Sequence, residues 1–343
     1  MLKYAVRKLL LAIPLILGVI TFIFILVELS PGDVADKFFT PETPPEVRQA
    51  IVAKYQLDQP SIVRYGAMLK NLMFFDFGRS MAQERPVFDI ILETLPNTII
   101  LSAVTLLIIY PTGIVVGSIQ AVRHNTVVDT SLSIGSLLLN SMPSFWLALM
   151  LQLLVGFYWA GWIDGQVALG AMSAEMGGYL TLPLSGMQDP MLEVVGGTRT
   201  EVIIDRLKHL ILPGIAMGLA SAGSTARYMR SALLETIRQD YIRTARAKGL
   251  REGTVIVKHA MRNAMLPVIT LIGLSVPFLF SGAVLIETVF AWPGMGRLIL
   301  SAIYSQDTPL MIACFFVFTV LTVSGNLLAD LAYAVVDPRI KYD

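Results

Sequence analysis

The sequence predicts an all-α membrane protein of six transmembrane helices carrying an external helical cap, and three observations lead there. Hydrophobic residues make up 55% of the 343 positions and charged residues only 15%, with a mean hydropathy of +0.67, more apolar matter than a soluble core of this length requires. Apolar runs long enough to cross a bilayer recur along the chain, at about Leu9 to Leu29, Asn97 to Ala121, Ser131 to Trp159, His209 to Met229, Ala264 to Glu287 and Pro309 to Val336. Charge is also sorted. Between Arg227 and Arg262 nine Lys or Arg oppose three acids, whereas between Ala160 and Lys208 three oppose six, the asymmetry that fixes membrane orientation. A net charge of +1 gives no reason to expect a nucleic-acid partner.

The first run follows a basic start, Met1 to Lys8, and could imitate a secretory signal. Its nineteen apolar residues, Leu9 to Val27, exceed the usual 7–15-residue signal core. No small-x-small cleavage site follows, and Ser30-Pro-Gly-Asp33 reads as a helix stop, so an uncleaved span over 1–30 is expected. Residues 31–96 read as an external helical segment, with amphipathic helices at Pro45 to Tyr55 and Ser61 to Met73 and an aromatic cluster, Phe74, Phe75 and Phe77, to seat them. The remaining five spans form one domain over 97–336, followed by a tail at 337–343. An even count of spans puts both ends on one side. Lys3, Arg7, Lys8, the Arg123-His124 turn, the basic connector, Arg339 and Lys341 then all fall in the cytoplasm. The loop from Ala160 to Lys208 lacks clear periodicity and reads equally as solvated linker or as a contact for a soluble partner.

The connector is the most informative stretch. Arg243, Arg246, Lys248, Arg251, Lys258 and Arg262 are opposed only by Asp240 and Glu252, and hydrocarbon would charge a few kcal/mol for each such group, so the stretch belongs in water beside the membrane. Val257, Met261, Ala264 and Met265 recur at helical spacing while Lys258, Arg262 and Asn263 point elsewhere. Gly249 is placed as a left-handed C-cap, and Thr254 as the N-cap of the following helix. The expected product is a helix, turn, helix elbow at 240–265.

This stretch resembles the EAA loop of ABC importer permeases, and in particular its peptide and nickel permease version, which reads approximately Arg-Thr-Ala-Arg-Ala-Lys-Gly followed by His-Ala-Leu-Arg-Asn-Ala. Arg243 to Gly249 and His259 to Ala264 fit it nearly throughout, whereas against the general consensus Arg243 stands for Glu, Thr244 for the first Ala, His259 for Ile, Met261 for Leu and Arg262 for Pro. Further family-like pieces stand in order: Leu29-Ser-Pro-Gly-Asp33, Leu57-Asp-Gln-Pro60, Arg64-Tyr65, Asp76-Phe-Gly-Arg-Ser80, Pro86-Val87, Glu287 through Trp292-Pro-Gly-Met-Gly296, and Asp337-Pro-Arg339. The resemblance implies the type I importer permease fold and an elbow that docks an ABC ATPase through Arg243, Thr244, Ala245, Arg246, Ala247, Lys248, Gly249, His259 and Arg262. In that role Ala245 and Ala247 would permit close approach, and Arg243 and Arg246 would offer charge. It also implies a second, homologous permease, two ATPase subunits and an external binding protein delivering small peptides. The same assembly could instead carry nickel chelates, opines or oligosaccharides.

The chain itself shows no engine. Leu184-Ser-Gly-Met-Gln188 resembles the ABC ATPase signature but lacks its second Gly, and no Gly-Lys dipeptide exists to build a phosphate loop. His124, His209 and His259 lack metal-site spacing, and the single cysteine, Cys314, reads as a buried hydrophobe, so no metal or cofactor is expected. An intramembrane hydrolase lacks its nucleophile motif, and a cation-coupled transporter lacks midplane titratable groups. Asn140, Gln152, Asn326 and Asp330 read as helix-to-helix hydrogen bonders. The fourth and fifth spans are rich in small residues, which suits close packing and a polar-tolerant path past Ser221, Ser224, Ser275, Ser281 and Glu287. The Trp292 to Gly296 turn is expected at the outer mouth.

Overall fold

The computed structural model describes residues 2–29, 44–46, 49, 52, 59–275, 278 and 284–336. Among them the regular structure is helical, apart from one isolated antiparallel bridge between Arg79 and Pro86. Helix α1, Leu2–Leu29, contains the first expected span and buries Ile20 and Ile23 while Leu10, Leu11 and Phe22 stay exposed, the lopsided burial of a helix that meets protein on one side and lipid on the other. Helix α2, Ser61–Met73, has the limits its periodicity predicted. The Pro45 to Tyr55 helix and the Ser30 to Asp33 stop fall largely or wholly outside the described residues.

Helix α3, Val87–Val122, starts ahead of the expected Asn97. Pro96 reads locally as a boundary, but Val87, Ile90 and Ile91 are buried against α1 and the last helix, and that packing carries the helix through its proline. The opposite happens in the expected span from Ser131 to Trp159, which is two helices. Helix α4, Val127–Ser141, is capped by the Thr126 hydroxyl, and Met142 is extended (φ −79, ψ 131) because the ring of Pro143 disfavours a helical residue before it. Helix α5, Ser144–Ala168, follows, with a wide π turn at Leu154–Trp159. The loop without periodicity holds the short helices α6, Ala174–Leu180, and α7, Pro190–Val195.

Helix α8, Arg199–Ile237, opens on a capping box made by Thr198 and Glu201 and is the centre of the bundle, lying along α3 with α4 and α5 beside it. A Cβ on Gly117 of α3 would stand 2.8 Å from Met229 Cβ, and one on Gly218 of α8 would stand 2.7 Å from Ile108 Cβ, so these glycines let two backbones approach as small residues do between membrane helices. Five described helices contain stretches long and apolar enough to span: Leu10–Leu29, Val87–Val122, Ser144–Ala168, Glu252–Leu274 and Thr308–Leu327. Helix α8 is longer than any of these but less apolar, because its neighbours are protein. Hydropathy alone therefore counts five where the sequence reading counts six.

After α8 come α9, Asp240–Ala247, and α10, Glu252–Leu274, then α11, Val284–Val289, α12, Met295–Tyr304, and α13, Thr308–Val336. The expected fifth span, Ala264 to Glu287, is described only to Ser275, at Phe278 and from Val284 onward. Buried residues gather in three places: where α1, α12 and α13 meet the start of α3; where α5 and α11 meet the middle of α3 and α8; and where the ends of α3 and α8 meet α9 and α10.

Candidate functional site

Helix α9 is strongly amphipathic. Ile242 and Ala245 are buried with Met229 and Leu233 of α8 and Val255 and Ala260 of α10, which seats the short helix on the bundle through its apolar side. Tyr241, Arg243, Thr244, Arg246, Ala247, Lys248, Gly249 and Leu250 form the exposed side. Gly249 takes φ +78, the left-handed conformation placed there by its sequence, and the chain then turns through Arg251 (φ −60, ψ 138) into α10.

Four expectations about the elbow need correction. Thr254 does not cap α10: Arg251 is the N-cap and Thr254 lies inside the helix. Glu252, at the first helical position, places negative charge at the helix's positive end. Val257 is 67% exposed and not on the apolar face. The backbone widens to a π turn at Val255–Ala260, so the buried positions run Val255, Ala260, Ala264, Val268; the one extra residue rotates Val257 off the seam. Ala245 faces the bundle and gives a partner no close approach from outside. Arg246 is not a spare charge either, since its Nη2 and Nε donate to Glu252 Oε1 and Oε2 at 2.6 and 3.1 Å, bracing α9 against α10 across the turn. Across the same junction, Asn263 donates to the Tyr241 hydroxyl at 2.7 Å. Arg262 is exposed and His259 half-buried.

The other end of α3 meets the Trp292 to Gly296 turn. From Thr98 to Gly117, which touches Met229 near the elbow, α3 rises about 30 Å. Glu287 of α11 is fully buried. Its Oε1 accepts from the Thr98 hydroxyl at 3.0 Å and its Oε2 from the Arg297 amide at 2.9 Å. Thr98 Oγ1 in turn accepts from the Met295 amide at 2.7 Å, Trp292 Nε1 donates to the Asn97 carbonyl at 3.0 Å, and Asn97 Nδ2 donates to the Pro293 carbonyl at 2.9 Å. A Cβ on Gly294 would strike the Glu287 carboxyl, and one on Gly296 would stand 2.8 Å from Val284 Cα. This clasp corrects the view of Glu287 as a path-lining group: its carboxylate organises the turn from within.

The other path candidates are dispersed. Ser221 is exposed. Ser224 donates to Asn140 Oδ1 at 2.7 Å, joining α8 to α4. Ser275 shares a hydrogen bond with the Tyr110 hydroxyl, which also reaches the Leu271 carbonyl at 2.8 Å. Ser281 lies outside the described residues. Gln152 behaves as expected, donating to the Leu184 and Val289 carbonyls at 2.8 and 3.1 Å, whereas Asn326 is exposed and the side chain of Asp330 is outside the described part. Sequence reasoning missed Asn97, Thr98, Ser80 and Asp307. The Ser80 hydroxyl donates to Asp307 at the start of α13, and the Ala82 amide donates to the same carboxylate at 3.0 Å, which seats the segment after α2. An acid immediately before Thr308-Pro309 was a legible N-cap signal; its distant partner was not.

Long apolar helices around a glycine-packed pair, with a basic elbow leading into the span-length helix α10, define a polytopic helical membrane protein. The family model described as binding-protein-dependent transport system inner membrane component matches residues 113–342, and the chain belongs to that family. It is 36% identical over 343 residues, all of both chains, to the oligopeptide transport system permease protein AppB of Bacillus subtilis. It is 39% identical over 345 residues, 99% of each chain, to a putative peptide permease protein of Brucella suis biovar 1. To the dipeptide transport system permease protein DppB of Alkalihalophilus pseudofirmus it is 36% identical over 350 residues, again all of both chains.

Proposed function

We propose that this chain is the transmembrane permease subunit of an ATP-driven importer of di- or oligopeptides, forming half of the path beside a homologous second permease. Two ATPase subunits supply the energy and an external binding protein delivers the cargo. The protein sits in a bacterial or archaeal plasma membrane, lipid around its apolar faces, with both termini and the elbow in the cytoplasm and the Glu287 clasp outside. Full-length similarity to proteins named as peptide permeases supports the cargo class.

The observation that carries the mechanism is the two-sidedness of α9. Its inner side, Ile242 and Ala245, rests on α8, and its outer side presents Arg243, Thr244, Ala247 and Lys248 to water. An ATPase groove receiving that outer side, with Gly249, His259 and Arg262 at its edge, would load α8 directly through Met229 and Leu233. Closure of the ATPases on ATP then rocks α8 and the helices packed on it between inward and outward access. Ser221, Ser224 and Ser275, with Ser281, offer hydroxyls to a peptide along the way, and Glu287 shapes the mouth without lining it.

The test is assembly and dependence. Expressed with its partners, the chain should copurify with the second permease and the ATPases, and the complex in liposomes should take up labelled peptides only with ATP and binding protein. Peptide uptake by the lone chain, or uptake driven by a proton gradient without ATP, would overturn the reading.

A further inference from the structure

The bond network at the α3 to α4 turn has no part in the scheme above. Arg230, on the last turns of α8, sends Nε to Asp129 Oδ1 at 2.9 Å and Nη2 to Oδ2 at 2.8 Å, the two-pronged geometry that fixes angle as well as distance. The Asp129 side chain is 4% exposed and that of Arg230 30%. The carboxylate also accepts from the Asn125 amide at 3.0 Å and the Ser133 hydroxyl at 3.4 Å. His124 Nδ1 stands 3.3 Å from Asp129 Oδ2 and 3.1 Å from Arg230 Nη2. The Arg230 guanidinium, aided by the Asn125 amide, holds the Asp129 carboxyl well below the usual carboxylate range, so the pair stays charged at any physiological pH.

Its position gives it a task. On the same stretch of α8, Met229 and Leu233 are buried against the elbow residues Ile242 and Ala245, while Arg230, between them in sequence, reaches Asp129. The end of α8 is thus held on one side by an apolar contact, which tolerates sliding, and on another by a directional fork, which does not. An ion pair largely removed from water adds little net stability over an apolar pair of similar volume, so its distinctive contribution is geometric.

We propose that Asp129 and Arg230 are positioning residues for transport: the fork makes the α3 to α4 turn move as one body with α8 when the elbow is displaced. The packed faces of α3 and α4 already follow α8; the fork adds the turn between them, fixing its angle to the end of α8 through the stroke. This rests on the elbow being the ATPase dock.

The experiment uses the complete transporter in liposomes, with a mixed pool of labelled di- and oligopeptides and the binding protein, and reads uptake per ATP hydrolysed together with retention of the ATPase subunits. Arg230→Lys, which keeps the charge but loses the fork, and Asp129→Asn should assemble and hydrolyse ATP while uptake per ATP falls about tenfold, within the span of site-to-site couplings. If these singles accumulate poorly, the double variant Asp129→Leu, Arg230→Met, which leaves no charge unpaired, carries the test and should be equally uncoupled. Wild-type uptake per ATP in the double variant overturns the proposal, as does restoration of uptake per ATP in step with improved folding. Gly249→Val is measured beside them. Should it too keep wild-type uptake per ATP, the elbow reading falls and this proposal with it; should it uncouple while the pair variants do not, only the positioning role falls.

Discussion

The clasp around Glu287 and the elbow around Gly249 are both turns between helices, both carry glycine, and both were singled out by the same family resemblance, yet they are built in opposite ways. In the clasp, Glu287, Trp292 and Phe290 are buried, polar contacts tie α11 and the turn to both α3 and α12, and two glycines have no room for a Cβ. In the elbow, Ile242 and Ala245 are the buried residues of α9, the ion pair is exposed, and nothing lies within 4 Å of where a Cβ on Gly249 would sit. The clasp glycines are there for space and Gly249 for backbone conformation. The clasp is over-determined, as a fixed support should be; the elbow keeps its shape through backbone geometry and a small apolar footing, which suits a part that must be gripped and moved.

The largest effect on stability is expected where space is absent. Gly294→Leu would force its side chain into the Glu287 carboxyl, and Glu287→Leu would leave the Thr98 hydroxyl and the Arg297 amide short of an acceptor at about 1–3 kcal/mol each. Both should lower the melting temperature in detergent and the yield of folded protein, Gly294→Leu the more. A Gly294→Leu variant that melts with the wild type would erase the distinction between clasp and elbow.

Next is the latch outside the main bundle. Ser80→Ala removes one donor to Asp307, whose side chain retains the Ala82 and Leu310 amides, so the loss should be about 1–2 kcal/mol. Limited proteolysis between residues 74 and 86 would register it as faster cleavage. Unchanged cleavage would mean that Phe77 and its apolar neighbours hold this segment unaided.

Gly249→Val should have a comparable or smaller effect on stability, about 1–2 kcal/mol of backbone strain with no clash. Its consequence for transport should be larger than its consequence for folding. ATPase binding and uptake should drop in a protein that inserts and melts almost normally, and Gly249→Asn, whose side chain tolerates the left-handed region, should recover most of both. Equal uptake in the Val and Asn variants would show that the conformation at 249 does not matter.

How much of this was legible in the sequence follows the same division. Local backbone signals read true: the limits of α2, the left-handed Gly249, and the elbow itself come from spacing and residue type within a few positions. Where packing decides, the local reading erred. Pro96 looked like a boundary until Val87, Ile90 and Ile91 proved to be buried. Pro143 lay unnoticed inside an apolar run because hydropathy does not register a break in direction. The π turn at Val255–Ala260 moved the apolar seam off Val257, a shift that ideal helical periodicity cannot express. Partners far apart along the chain, such as Thr98 with Glu287 or Ser80 with Asp307, have no local signature at all.

The smallest effect concerns Arg246 and Glu252, and it decides what the exposed side of the elbow is for. The pair is well formed, but its side chains are 40% and 56% exposed, and exposed pairs contribute only about 0.2–1 kcal/mol. Arg246→Ala, Glu252→Ala and the double variant should therefore melt within about 1 kcal/mol of one another, with a coupling near the lower end of that range. Arg243→Glu should likewise leave melting unchanged, as its contact with Asp240 at 3.5 Å joins two open side chains. Binding should separate the two arginines. Arg243 points into water and is free to meet an acidic groove, so Arg243→Glu should weaken retention of the ATPase, and more so at low salt, where charge reversal is least screened. Arg246 is already committed to Glu252, so Arg246→Ala should weaken retention less, and by an amount that the Glu252→Ala variant reproduces. Retention lost equally in Arg243→Glu and Arg246→Ala, with Glu252→Ala unaffected, would show instead that Arg246 leaves Glu252 to meet the ATPase, and the elbow would then be reshaped by its partner.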